Sequence, residues 1–186
     1  MLIARDPVPV MDAEMANAVV SAGSGTHSRF VADFERAHGQ TLFGFVRGLG
    51  VKNDAAADVV QESILRLFDA LCAGQAIRDS KAWTFHVAYR LAMDEHRRLA
   101  RRLRLVRTRP GPTSVNDPSD DVEHQQVWSE VDRLPDRQRS VLFLRFRADL
   151  AFEDIGATLG ITASAARSHC TQALATLRAR LGEGTD

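Results

Sequence analysis

From residue 28 onward the apolar side chains recur at three- and four-residue steps, the period of a helix that buries one face. Phe30, Phe34, Leu42, Phe45, Val46 and Leu49 predict a first helix, stopped by Gly48 and Gly50. A second helix is predicted with Asn53 or Asp54 as its cap and Val59, Val60, Ile64, Leu67, Phe68 and Leu71 on its apolar face. After the loop at 73–78, Asp79 or Ser80 caps a third helix carrying Trp83, Val87 and Leu91, which continues into an arginine-rich stretch. Residues 1–26 lack the period and contain Pro7, Pro9, Gly23 and Gly25, so they read as a loose extension with one helical turn near 11–20.

Residues 108–120, TRPGPTSVNDPSD, are rich in turn-forming residues and predict a linker. The expected organisation is an extension over 1–26, a helical unit over 27–107, a linker over 108–121 and a second helical unit over 122–182. In the second unit a helix runs from near Val122 to Arg133 and is broken by Leu134-Pro135. Asp136 opens the next, with Val141, Leu142, Leu144 and Phe146. A short helix spans Phe152 to Leu159, Gly160 ends it, and Thr162 caps a last helix to about Leu181. No segment alternates apolar and polar positions at strand length. The fold class expected is all-α: two small helical domains joined by a flexible linker.

Composition narrows the function. The chain has 186 residues, 45% apolar and 26% charged, as a folded domain requires. No run approaches the ~20 apolar residues that span a bilayer, and the start MLIARDPVPVMDAEM has no apolar segment behind a basic one. No membrane insertion and a cytoplasmic location are expected. Cys72 and Cys170 form no CxxC pair, and the six histidines are scattered, so no metal and no cofactor are expected. Both thiols are expected to be buried or half-buried. No nucleophile–base pair, phosphate-cradling glycine loop or paired carboxylate is present, which argues against an enzyme.

The net charge of zero hides strong segregation. Residues 96–109 hold seven arginines and no acid, residues 110–136 carry −6, and residues 137–181 carry +4. Seven like charges in one block repel, and nucleic acid or another anionic partner relieves that repulsion. Of the 24 cations 22 are arginine, which fits planar phosphate recognition and equally a coding bias.

Residues 152–170, FEDIGATLGITASAARSHC, carry the most specific pattern. A helix-turn-helix needs a small residue where its two helices approach, a residue tolerant of a left-handed backbone at the turn, and apolar plugs after it. Gly156, Gly160, Ile161 and Ala166 occupy those positions. The outward residues of the second helix are then Ser164, Ala165, Arg167 and Ser168. Taken alone, the pattern fits a DNA reader or an ordinary helical hairpin with a glycine loop.

The wider context resembles one family. LPDRQRSVLFLRF, followed by DLAFEDIGATLGITASAARS, is similar to the promoter-recognition domain of bacterial sigma factors. DAAADVVQESILRLF resembles the sigma helix that grips the polymerase clamp, through Asp58, Gln61, Glu62, Ile64 and Leu67. KAWTFHVAYRLAMDEHRRLARR resembles the promoter-melting helix, through Trp83, Ala88, Leu91, Ala92, Asp94, Arg97 and Arg98. The resemblance covers about 28–107 and 122–181. With no middle domain and no acidic N-terminal domain it matches the smallest class, the extracytoplasmic-function (ECF) sigma factors.

The resemblance implies a subunit that directs RNA polymerase to promoters, with core RNA polymerase, promoter DNA and an anti-sigma factor as partners. Core-polymerase binding falls to Asp58, Gln61, Glu62 and Arg66, spaced as one helical stripe. DNA binding and melting fall to Trp83, Tyr89, Arg90, Arg97, Arg98, Arg101 and Arg102, with residues 73–80 forming part of a base pocket; Trp83 suits a core position as well as a base platform. The upstream element is read by Ser164, Ala165, Arg167, Ser168, Thr171 and Gln172. Leu134, Val141, Leu142 and Phe146 form core and a groove for a polymerase flap helix. Two positions depart from the family. Tyr89-Arg90 stands where many members have arginine then asparagine, and His169, Gln172 and Leu174 stand where basic residues are usual. The alternative is a mimic that keeps the fold to sequester an anti-sigma factor without reading DNA.

Overall fold

The computed structural model describes the backbone of residues 13–105 and 128–182, with side chains over 25–101 and 128–182. Every regular element among the described residues is helical. Helix α1 spans Ala13–Gly48, α2 Asn53–Cys72 and α3 Ser80–Leu105. A helical segment at 128–132, here α4, precedes α5 (Asp136–Leu142), which widens into a π-helical turn, Phe143–Arg147. Helices α6 (Phe152–Leu159) and α7 (Ala163–Gly182) complete the chain. Helix α1 starts at Ala13, so part of the expected loose extension is continuous helix; residues 1–12 and the linker at 108–121 lie outside the described residues.

The first unit closes around Leu42, Phe45, Val46, Ala56, Leu67, Phe85, Ala88 and Ala92, each fully or nearly fully buried. Helix α3 presents a different face from the one its large residues imply. Ala82, Phe85, Ala88 and Ala92 are buried, whereas Trp83, Val87 and Leu91 are half-buried on the flank. Small side chains let the helices approach closely, and burying them costs almost no rotamer entropy. Phe30 is likewise outside, at 44% exposure, and Val31 takes the inward position. The Asp79 carboxylate caps α3 by accepting the Ala82 N–H at 2.9 Å. At α2 the cap position is Lys52, with no side-chain bond, and Asn53 and Asp54 lie inside the helix.

The second unit packs α5 and α6 against α7 over Val141, Leu142, Leu144, Ile155, Ala166, Cys170 and Ala173. The π turn is marked by the Ala148 N–H bonding the Phe143 carbonyl at 3.1 Å, five residues back. Such a turn holds one residue more than an α turn and shifts the helical phase of the residues after it. Phe146, expected in the core or in a groove beside it, is 58% exposed and so outside the core, while Leu144 and Leu150 remain buried. Asp149 ends the turn with φ +48, the left-handed conformation that short polar side chains tolerate. Cys170 is buried, but Cys72 is exposed, contrary to expectation, because it lies on the final turn of α2 past the inward Leu67. The two units touch: α3 lies against α6, and α1 against α5 and the π turn.

Candidate nucleic-acid interface

Two glycines set the geometry of α6 and α7 for different reasons. A Cβ on Gly156 would stand 2.7 Å from the Ile161 carbonyl oxygen and 3.1 Å from the Ala163 nitrogen. Gly160 has open space around it but a φ of +68, and it terminates α6. Thr162 caps α7, its Oγ1 accepting the Ala165 N–H at 3.1 Å. Arg137 reaches across from α5 to donate to the last α6 carbonyl, Leu159, at 2.5 Å. The turn is therefore held by a backbone contact, a cap and a guanidinium clamp.

Helix α7 buries Ala166, Cys170, Ala173 and Leu177, which form a single stripe. Its opposite side exposes Ser164, Arg167, Ser168, Thr171 and Gln172, so the expected reading residues share one open face; Ala165 is half-buried at its margin. Arg167 does not stand alone there. Its Nη2 lies 2.5 Å from Glu153 Oε1 on α6, and its guanidinium carbon is 5.4 Å from the Phe152 ring centre. Arg145 sits at the same distance from that ring. Glu153 is held below the ordinary carboxylate range, first by a backbone hydrogen bond in the opening turn of α6 and then by Arg167. Spacing along the sequence indicates none of these partners. The link spans 14 residues and arises only from how a helix-turn-helix folds back.

In α3, Trp83 and Tyr89 are half-buried and Arg90 is exposed. Arg97 pairs with Asp94 at 2.5 Å and Arg98 with Glu95 at 3.8 Å. The two acids directly before the basic block thus neutralise its first arginines. Arg101 is exposed, and the side chain of Arg102 lies outside the described residues. The loop before α3 approaches the second unit through Arg78, 3.8 Å from Asp154.

On α2, Asp58, Gln61, Glu62 and Arg66 are all exposed, and Glu62 pairs with Arg66 at 2.8 Å. Leu65, half exposed, lies beside them and adds an apolar element to that stripe.

Several arginines have work inside the fold. Arg47 is buried and donates to the Val51 carbonyl at 2.6 Å. Arg139 donates to the Asp132 carbonyl at 3.0 Å and pairs with Asp136, and Arg145 donates to the Leu150 carbonyl at 3.0 Å. Part of the arginine excess therefore closes helix ends and loops. Among the described residues no group of His, Cys, Asp and Glu is arranged to hold a metal ion, and no helix is long and apolar enough to cross a membrane.

Comparison with known proteins separates the same two units. Residues 35–102 match the family model for sigma-70 region 2, and residues 131–179 that for sigma-70 region 4. The ECF RNA polymerase sigma factor EcfG of Rhodopseudomonas palustris (strain TIE-1) is 26% identical over 149 residues, covering 76% of this chain and 79% of that protein. The RNA polymerase sigma factor SigV of Bacillus subtilis (strain 168) is 28% identical over 135 residues, covering 70% and 79%. Among solved structures, the fold is similar to sigma factor RpoE in complex with the anti-sigma factor NepR from Bartonella quintana, with TM-score 0.65, 19% identity and coverage of 81% and 97%. It is also similar to CnrH in complex with the cytosolic domain of CnrY, with TM-score 0.58, 22% identity and coverage of 89% and 96%.

Proposed function

The chain belongs to the ECF subfamily of the sigma-70 family, and from that premise we propose how its surfaces divide promoter-specific transcription initiation. Asp58, Gln61, Glu62, Leu65 and Arg66 dock the chain on core RNA polymerase. The arginines at 97, 98, 101 and 102 hold the phosphates of the opening DNA, while Tyr89 and Arg90 contact unstacked bases. Helix α7 enters the major groove of the upstream element and reads it with Arg167, Ser168, Thr171 and Gln172. An anti-sigma factor controls the chain by covering the polymerase-docking surfaces; a similar fold solved with an anti-sigma factor bound supports this.

The observation that carries the reading is the open outer face of α7, set by the Gly156 contact and backed by a fully apolar inner stripe. A mimic that keeps the fold keeps that face as well, so the two readings part at DNA binding itself. The test is run-off transcription with core RNA polymerase on fragmented genomic DNA, with sequencing of the start sites. Discrete starts that share two spaced elements support the reading. Polymerase binding without starts removes the DNA-reading part of it, and neither binding nor starts returns the mimic.

A further inference from the structure

Arg167 and Glu153 are both open to water, at 54% and 63% side-chain exposure. Exposed ion pairs contribute little to stability. A carboxylate on a face meant for DNA also repels phosphate. The opening turn of α6 favours an acid, but general DNA affinity does not, and the oxygen of this one lies 2.5 Å from the guanidinium of the reading helix.

We propose that Glu153 is a positioning residue for Arg167. Together with the Phe152 ring it holds the guanidinium in the pose from which Arg167 reads one base pair of the upstream element. The inference rests on the reading that α7 enters the major groove.

The geometry supplies the reason. A free arginine loses much rotamer freedom when its fork is fixed on a base. Here Glu153 takes one edge of the fork through Nη2, and Phe152 lies against the guanidinium at 5.4 Å. A guanidinium has five N–H donors, so enough remain for a bidentate contact with the O6 and N7 of a guanine. The pose survives because its base is rigid: Phe152 and Glu153 form the first turn of α6, and the close approach at Gly156 fixes α6 against the start of α7. Specificity is thus gained at some expense of electrostatic attraction.

The experiment measures binding of the full chain, assembled with core RNA polymerase, to promoter DNA randomised across the upstream element. Wild type, Arg167→Ala, Glu153→Ala, Glu153→Gln and the double variant Glu153→Ala/Arg167→Ala are compared, with melting temperatures measured alongside. Arg167→Ala should lower the preference at one base pair by about 5- to 150-fold, the range of a bidentate contact. Glu153→Ala should lower preference at that same base pair by about 2- to 10-fold, while binding to unrelated DNA holds or rises. Glu153→Gln, which keeps an acceptor oxygen, should recover part of the loss, and the double variant should lose no more than Arg167→Ala. A Glu153→Ala profile unchanged at the base that Arg167→Ala affects overturns the positioning role and leaves the reading of Arg167 standing. A flat response to Arg167→Ala overturns that reading, and the positioning role with it.

Discussion

Phe143, on the π turn, sets its ring 5.7 Å from that of Phe45 on α1, and this contact joins the two units. Trp128 flanks it at 5.8 Å. Gly44 faces the same ring, and a Cβ there would lie 3.4 Å from it. Lys81 adds a bond to the Asp149 carbonyl at 3.1 Å. The units therefore share an aromatic seam within one continuous hydrophobic core.

Phe143→Ala should part them. The ring is only partly buried, so the loss should be about 2–3 kcal/mol, below the ~3–5 kcal/mol of a fully buried phenylalanine. Small-angle scattering should show a larger radius of gyration, and thermal unfolding should split into two transitions. An unchanged radius and a single transition would show that α3 and α6 hold the units together without this ring.

The two turn glycines should fail differently. Gly156→Val drives a branched side chain into the Ile161 carbonyl and should cost about 3 kcal/mol or more. Gly160→Ala meets no atom but must hold a φ of +68, a cost of about 1–2 kcal/mol. Urea unfolding ranks them. Equal losses would mean that the close approach at Gly156 is not what restricts that position.

Much of this arrangement was legible in the chain, and the reasons are local. Helix periods, a cap at Asp79 or Ser80, the break at Leu134-Pro135 and the glycine turn depend on neighbours within about four residues. The exposed stripe of α2 and the open face of α7 come from the same period. The features that escaped depended on distant partners. Alanines outrank Trp83 in the α3 core because another helix must come close, and no spacing within α3 says so. The π turn that turns Phe146 outward has no compositional mark. Arg137 and Arg139 read as generic cations until the carbonyls of Leu159 and Asp132 appear beside them. The pairing of Asp94 and Glu95 with the arginine block was open to a simple i,i+3 count.

The two thiols should behave oppositely. Cys72 is exposed, with its Sγ 3.8 Å from His27 Nδ1, while burial pushes the Cys170 thiol up, with Arg145 opposing. A thiol reagent at pH 8 should modify Cys72 quickly and Cys170 only on unfolding. Stability should respond as well. An unfolded thiol ionises near its ordinary value of ~8.5, but the folded Cys170 stays protonated to higher pH. The stabilisation is complete below the unfolded value and fades as pH rises through the folded one. Cys170→Ala should flatten that alkaline decline; two equally fast thiols in the native chain would contradict the burial.

The arginines of α3 should contribute unequally to DNA affinity. Each cation that neutralises one phosphate adds about 0.9 to the slope of log affinity against log salt for duplex DNA, and about 0.7 for a single strand. Arg97 is paired with Asp94 at 2.5 Å, whose charge offsets its pull on a phosphate, whereas Arg101 is exposed beyond the two acids. Removing Arg101 should therefore lower the slope by nearly a full unit, and removing Arg97 by clearly less. Asp94→Asn should raise the affinity by releasing Arg97, and in that background Arg97→Ala should recover the full effect. The measurement is a salt titration of promoter binding by the assembled polymerase, one variant at a time. Equal slopes for the Arg97 and Arg101 variants would show that the acids leave the basic block unaltered when DNA arrives. The affinity of α3 would then depend on arginine number alone, not on which arginines are already paired.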